Sequence, residues 1–422
     1  MKTIPSRMAA SKELLPAAAL ARLASISFSL CVLTLLLSLA ASQIFLSIAG
    51  VLYFAHLLRD KPSIVFPPIK LPLALFCLLT ILSLVESANP GAGGFAVRKL
   101  TLFMIILLTA NLIVTPEHLE RLYQGIFIES AFVGLIAAGQ FIKQLHAVQL
   151  LHPHHLYRYM VSTRIHGLMG DWMNFGGQQM LIFAALAAFL LLRPRVRKIW
   201  WLVMAVVVLS IVLNFTRGVW LASFFAGIYL LARWRARWLW GIPILIAVGY
   251  LAAPRMVRER VWMALHPMKD PALSIRFQMW RVGLRMMEKH PWLGVGPNAI
   301  YQQYPLYLAP GHTPLVGYHS HLHDNFIQIG AERGLPCLAA WVWMMGALGW
   351  AYWKMRRRVH SRRWIVDAAF AGWMALLIEG CFEFNFGTSP VLMVFLFVAS
   401  TPFAAGIAPE PQGESSPGQS AS

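Results

Sequence analysis

Long apolar runs recur along the chain, and they restrict the folds open to it more than any other feature. A helix needs about 20 apolar residues to cross a bilayer. Runs of that order lie near residues 17–39, 41–58, 70–87, 99–115, 122–142, 174–193, 199–215, 218–233, 237–253, 325–353, 364–384 and 388–407. The sequence therefore predicts an all-α polytopic membrane protein with about twelve transmembrane helices.

The charge pattern fits a membrane protein better than a nucleic-acid-binding one. Only 13% of the residues are charged, whereas soluble domains have about 25%. The net charge is +19, but the basic residues form short clusters between the apolar runs. Such clusters commonly orient a membrane protein. We therefore exclude nucleic acid as a partner.

Three short loops hold the densest basic clusters, at 193–198, 233–237 and 354–363. The positive-inside rule places these loops, and with them both chain termini, in the cytoplasm. The chain then divides into nine helices over 1–253, one large outer loop with amphipathic helices over 254–324, three helices over 325–407 and a disordered cytoplasmic tail over 408–422.

Some basic residues fall on the outer side, against the positive-inside bias. A guanidinium group presents a planar fork that fits phosphate oxygens. We therefore predict an anion-binding pocket at the outer membrane interface, with a lipid diphosphate as its ligand. Its candidate residues are Arg98, Lys99, Arg164, Arg217 and Arg276. Pairing with lipid headgroups is the alternative, and it suffices for Arg255, Arg258 and Arg260.

Three histidines, His319, His321 and His323, alternate where the outer loop meets the run at 325–353. Histidine transfers protons near neutral pH, and an ionisable cluster at a membrane helix indicates function. With His312 or Asp324, the same histidines could instead ligate zinc. Both hypotheses remain open at this point.

Several motifs resemble those of the bacterial O-antigen ligase family. His323 and Asp324, followed after nine residues by Gly334-Leu335-Pro336-Cys337, are similar to the family signature, although Asp324 stands where Asn, Ser or Gln is usual and Cys337 where Gly is common. Further similar elements are Thr-Arg-Gly at 216–218, Arg276 followed by His-Pro-Trp-Leu-Gly-Val-Gly at 290–296, and Arg164 with Gly167 and Asn174. The resemblance covers most of the chain.

The resemblance implies a metal-independent glycosyltransferase similar to the membrane enzymes of the GT-C type, with no cofactor. The enzyme would lie in the bacterial inner membrane with its active site facing the periplasm. It would transfer an O-antigen glycan from undecaprenyl diphosphate to a sugar hydroxyl of lipid A–core, during lipopolysaccharide biosynthesis.

The resemblance also implies roles for individual residues. His323 would be the general base, and Arg217, Arg276 and Arg164 would bind the donor diphosphate, while Arg98 and Lys99 are added to them by their charge and predicted position alone. The residues considered for acceptor binding or for support of the site are His321, Asp324, Asn325, Arg281, Glu379 and Glu383.

Other functions fit the same sequence. O-antigen polymerases and protein O-oligosaccharyltransferases resemble the ligases and use the same donor with a different acceptor. Transport of a lipid-linked sugar is a different class of function, in which Glu379 and Glu383, four residues apart on one helical face, would carry protons. Transporters usually contain internal repeats, which this sequence does not show, so transport is the weaker hypothesis.

Overall fold

The computed structural model describes residues 17–87, 90–151, 156–266, 271–311, 321–357 and 362–404. Within these ranges every regular element is helical and there is no β-strand, which confirms the all-α prediction for the described chain. The predicted tail at 408–422, His312 and His319 lie outside the described residues.

The α-helices in the described ranges are α1 (Ala17–Val32), α2 (Leu39–Asp60), α3 (Lys70–Leu82), α4 (Pro90–Arg98), α5 (Met104–Leu112), α6 (Pro116–Leu151), α7 (Leu156–Ser162), α8 (Trp172–Leu192), α9 (Ile199–Leu213), α10 (Arg217–Arg235), α11 (Ile242–Ala252), α12 (Arg255–Leu265), α13 (Pro271–Lys289), α14 (Ile300–Gln303), α15 (Asn325–Met355), α16 (Arg363–Gly380) and α17 (Ser389–Ser400). Short 3-10 helices lie at Ser83–Glu86, Lys99–Phe103, Ala236–Gly241, Tyr304–Tyr307, Asn385–Gly387 and Thr401–Phe403.

Five helical stretches of the described chain are long and apolar enough to cross a membrane: Leu39–Asp60, Gly93–Leu112, Pro116–Val148, Trp172–Leu192 and Asn325–Met355. Ala19–Val32, Ile199–Leu213 and Ser389–Phe403 are apolar but shorter. The predicted spans at 218–233 and 364–384 form α10 and α16, whose ends carry charged residues, and the run at 237–253 is divided between a 3-10 helix and α11. The helices fit a polytopic membrane protein, whereas the count of twelve spans stays a prediction.

Helix α8 lies at the centre of the bundle and packs against α16, α10, α9 and α17. It is apolar on all sides, and most of its residues are buried, as expected for a helix surrounded by other helices. Its buried Gln178 donates to the backbone oxygens of Leu35 and Pro390, at 3.1 and 3.2 Å. On one side of α8, the beginning of α10 meets the end of α16: a Cβ added to Gly218 would lie 3.4 Å from Cγ of Glu379.

The segment between α11 and α15 packs with the beginning of α15 around a second, smaller apolar core. The core residues are Met279, Val282, Met286, Val295, Ala299, Ile300, Tyr304, Tyr307, Leu322 and Ala331. Helix α13 approaches the beginning of α15 closely at Gly283, where a side chain would overlap Ile327 and Leu322. This close packing fixes α13 beside the residues that lead into α15.

Helix α15 is interrupted at Gly334, which adopts φ 83° and ψ 167° ahead of Pro336. The turn at 291–296 satisfies the backbone groups that the interruption leaves unpaired. Val295 N and Gly296 N donate to the oxygens of Ala331 and Glu332, each at 2.9 Å. A Cβ on Gly334 would overlap the Trp292 carbonyl. The glycines of the two motifs therefore allow the 291–296 turn to pack closely against the interrupted helix.

Candidate functional site

His323 lies in a short connection whose backbone is held on both sides. Leu322 N donates to Gln328 Oε1 at 2.7 Å, and the Asp324 carboxylate caps α15 by accepting from Ile327 N at 2.8 Å. Between these bonds His323 has a φ of 51°, a left-handed conformation that costs an L-residue about 1–2 kcal/mol. A non-glycine residue kept in this conformation is typical of a functional site.

The His323 ring is oriented by a buried carboxylate. Its Nδ1 lies 2.9 and 3.0 Å from the two carboxylate oxygens of Glu383, which is only 5% exposed. Burial by itself would raise the Glu383 pKa, but the charges of His323, His321 and Arg276 and the hydrogen bond with His323 outweigh it and lower that pKa to about 2. An ionised carboxylate only accepts, so Nδ1 of His323 carries a proton, and the neutral form of the ring has its lone pair on Nε2.

Asn325 and Asn385 form a hydrogen-bonded pair that joins the segment carrying His323 to the segment carrying Glu383. Asn325 Nδ2 donates to Asn385 Oδ1 at 2.6 Å, and Phe386 N donates to Asn325 Oδ1 at 3.2 Å. Asn385 Nδ2 in turn donates to the buried carboxylate of Glu379. These bonds support the site by fixing the beginning of α15 against the end of α16.

Beside the His323–Glu383 pair, four arginines line one pocket. They are Arg164, Arg217, Arg260 and Arg276, and Thr216, Gly218, Glu379, Phe382 and Glu383 complete the lining. Each arginine comes from a different part of the chain: the loop before α8, the first residue of α10, α12 and α13. Arg276 Nη2 lies 3.7 Å from Glu383 Oε2, so the pocket directly adjoins the histidine pair.

The positive charges in the pocket repel one another. Arg164 stacks on the Trp172 ring at 3.8 Å, and its Nε donates to the Val161 oxygen at 3.0 Å. Burial, followed by the charges of Arg260, Arg276 and Arg217, lowers the pKa of Arg164 to about 9. Because each guanidinium group disfavours the charge of its neighbours, an anion bound among them would relieve this repulsion.

The structure places the residues predicted for the site in several environments. Arg164, Arg217 and Arg276 converge with Glu379 and Glu383. Arg98 and Lys99 do not line the pocket. Lys99 Nζ donates instead to the Gly387 oxygen at 2.6 Å, beside Glu332 and Arg333, and Arg98 lies over the Phe95 ring. The predicted convergence of all five basic residues is therefore corrected to three of them.

The remaining predicted residues have other surroundings. Arg281 lies on the opposite, exposed side of α13, in a groove that also contains Phe277, Arg285 and Leu308. The His321 ring contacts the His323 ring at a centroid distance of 4.2 Å. Burial, and then the charge of His323, lowers the pKa of His321 and favours its neutral form.

From the sequence alone, Arg260 is explained by pairing with lipid headgroups and is not included among the site residues. Arg260 is 7% exposed and lies in the pocket. A signal was present in the helix register, because Arg260 stands four residues after Met256 and four before Ala264, on an apolar face of α12. The partnership of Glu383 with His323 had no such local signal.

One set of groups has donor atoms suited to a metal ion. The ligand atoms of His321, His323 and Glu383 all lie within 4.8 Å of one another, and these atom types suit zinc. Glu383 here takes the place of the ligands considered from the sequence, because Asp324 caps α15 and His312 and His319 lie outside the described residues. The nearby arginines disfavour a metal ion at this place, because the positive charge of Arg276 already lies beside the Glu383 carboxylate.

The helices fit a polytopic membrane protein, and the site combines a histidine–carboxylate pair with an arginine-lined pocket. Residues 202–342 match the family model described as O-antigen ligase. Over these residues the chain is similar to the O-antigen ligase family, which confirms the family resemblance drawn from the motifs. The matched residues include Arg217, Arg260, Arg276 and His323, whereas Arg164 and Glu383 lie outside them. A comparison with curated proteins finds no match.

Proposed function

We propose that this protein is a glycosyltransferase of the inner membrane that transfers a glycan from undecaprenyl diphosphate to a sugar hydroxyl of lipid A–core. The observation that carries the proposal is the position of the His323–Glu383 pair beside four arginines. A base next to a strongly cationic pocket fits a reaction that deprotonates a hydroxyl and releases a phosphate anion.

In the proposed reaction, Nε2 of His323 takes the proton of the acceptor hydroxyl. The hydroxyl oxygen forms a bond to the anomeric carbon of the donor glycan, and the bond from that carbon to the diphosphate oxygen breaks. The diphosphate keeps the electron pair and gains one negative charge. Arg164, Arg217 and Arg276 stabilise this charge, and Glu383 stabilises the imidazolium that His323 becomes.

The residues that the sequence suggested for acceptor binding or for support of the site also have places in the proposed mechanism. Asn325, Asp324 and Glu379 hold the connection around His323 through the cap and the asparagine pair. Arg281, in its separate exposed groove, is proposed to contact the acceptor. We propose that the site faces the periplasm, because the positive-inside rule places the basic loops at 193–198 and 354–363 in the cytoplasm.

Reconstitution tests the proposal. The purified full chain in liposomes should transfer glycan from undecaprenyl diphosphate to added lipid A–core. Growth of the lipid-linked glycan with no change in lipid A–core would show a polymerase instead. Glycan transferred to a protein would show an oligosaccharyltransferase, and movement of the donor across the bilayer without transfer would show a transporter.

The reaction is expected to need no metal ion. In the same liposomes, excess EDTA should leave the initial rate unchanged, because the arginines supply the positive charge that a divalent ion would otherwise provide. Rates are compared before and after EDTA, and again after zinc or magnesium is added. A rate that EDTA abolishes and zinc restores would show that His321, His323 and Glu383 form a metal site.

Replacing Arg217 or Arg276 by lysine should weaken use of the donor by tenfold or more. Losing a contact to a charged group within a site costs on the order of 2 to 5 kcal/mol, and lysine lacks the bidentate fork. The measurement is kcat/KM for the lipid-linked donor. Arg255→Lys is the matched control, since the Arg255 side chain is 87% exposed and pairs with Glu259. Wild-type rates in both pocket variants would contradict the diphosphate assignment.

A further inference from the structure

Arg260 is a buried arginine whose burial calls for an explanation. It lies on α12 and is 7% exposed, whereas Arg255 and Arg258 on the same helix are exposed. Arginine is almost never buried without a partner, because removing its charge from water costs several kcal/mol. The apolar spacing of α12 directs Arg260 inward, where it joins the pocket of Arg164, Arg217 and Arg276.

One contact of Arg260 links it to the segment that presents Arg217. Its Nε donates to the Phe215 oxygen at 2.9 Å. Phe215 has a φ of 55°, in the left-handed region, and α10 begins two residues later at Arg217. The hydrogen bond therefore supports a turn that an L-residue adopts only at a cost. Because this bond uses Nε, the guanidinium group still brings its charge into the pocket that it lines.

The lining of the pocket has a net positive charge, to which Arg260 contributes. Four guanidinium groups and two carboxylates line it, so the lining has a net charge of +2 even when both carboxylates are ionised. Without Arg260 the same count is +1. A diphosphate linked to a lipid and a sugar carries two negative charges, and it gains a third when the bond to the sugar breaks. The fourth arginine therefore doubles the net positive charge that faces a diphosphate as it leaves.

We propose that Arg260 is a further diphosphate-binding residue, which the large outer segment contributes to the leaving-group site. The inference rests on the proposed function, since it assigns a fourth arginine to the same donor. The inference also gives α12 a role in the site. This helix contributes a positive charge to a pocket whose other arginines come from the loop before α8, from α10 and from α13.

The test measures the affinity of the purified full chain for inorganic pyrophosphate, alongside donor turnover in liposomes. Arg260→Gln should lower pyrophosphate affinity and donor kcat/KM by tenfold or more. Arg260→Lys keeps the positive charge and should retain more of both than the glutamine variant. Arg258→Gln is the control, being two residues away on the exposed side of α12, and it should equal the wild type.

The outcomes separate this inference from the proposed function. If Arg217→Gln and Arg276→Gln lose pyrophosphate binding while Arg260→Gln keeps it, Arg260 only supports the Phe215 turn and the inference fails alone. A wild-type protein that binds no pyrophosphate and transfers no glycan would overturn the inference and the proposed function together.

Discussion

Replacing His323 by alanine is expected to abolish glycan transfer while the protein remains folded and inserted. Removing a general base commonly costs a factor of 10² to 10⁴. The His323 side chain is mostly enclosed and packs against Glu383, so its loss acts on the reaction more than on the core of the bundle. The measurement is the single-turnover rate in liposomes, together with the thermal stability of the purified variant.

His321→Ala provides the comparison for this variant. The His321 ring touches His323 but makes no hydrogen bond to Glu383 in the described structure, so its loss should reduce the rate less. His319→Ala, outside the described residues, should likewise cost less. Near-normal turnover in His323→Ala, with the His321 variant inactive, would overturn the choice of base. Equal inactivation of both variants would favour the metal site.

Replacing Glu383 by glutamine should lower kcat by a factor of about 10² to 10⁴, with a smaller change in KM. In serine proteases the corresponding loss of a carboxylate beside a catalytic histidine costs about 10⁴. In the proposed reaction, the Glu383 carboxylate, which lies 2.9 and 3.0 Å from Nδ1 of His323, fixes the proton on Nδ1 and balances the imidazolium charge. Glutamine has a similar shape but no negative charge, so the packing of the site is kept while its charge is lost.

Glu383→Asp controls for the position of the charge. It keeps a carboxylate on a shorter side chain and should retain more activity than the glutamine variant. The neighbouring Arg276 offers a second control, because its lysine variant should weaken use of the donor, whereas Glu383→Gln should act on kcat. A Glu383→Gln variant with wild-type kcat would remove Glu383 from the mechanism and leave it only an ion-pair partner of Arg276.

Hydropathy and local motifs by themselves determined the helical class of the described chain and picked out residues of the candidate site, among them three arginines and His323. Apolar runs specify membrane helices because the bilayer requires each backbone group to be bonded within its own helix. Arg164, Arg217 and Arg276 were recognisable because their charge opposed the positive-inside bias in the predicted topology, and His323 because it preceded an apolar run within a family motif. Each of these signals lies within a few residues of the group that it identifies.

Only the tertiary structure decided which groups meet. Glu383 lies 60 residues after His323, and helical packing alone brings the two side chains together. The burial of Arg260 and the turn of Lys99 toward Gly387 depend on which side of each helix faces a neighbour. The break at Gly334 needs the 291–296 turn to satisfy its carbonyls. The physical reason is common to all of these: local periodicity determines the faces of a helix, but contacts between distant segments determine what each face touches.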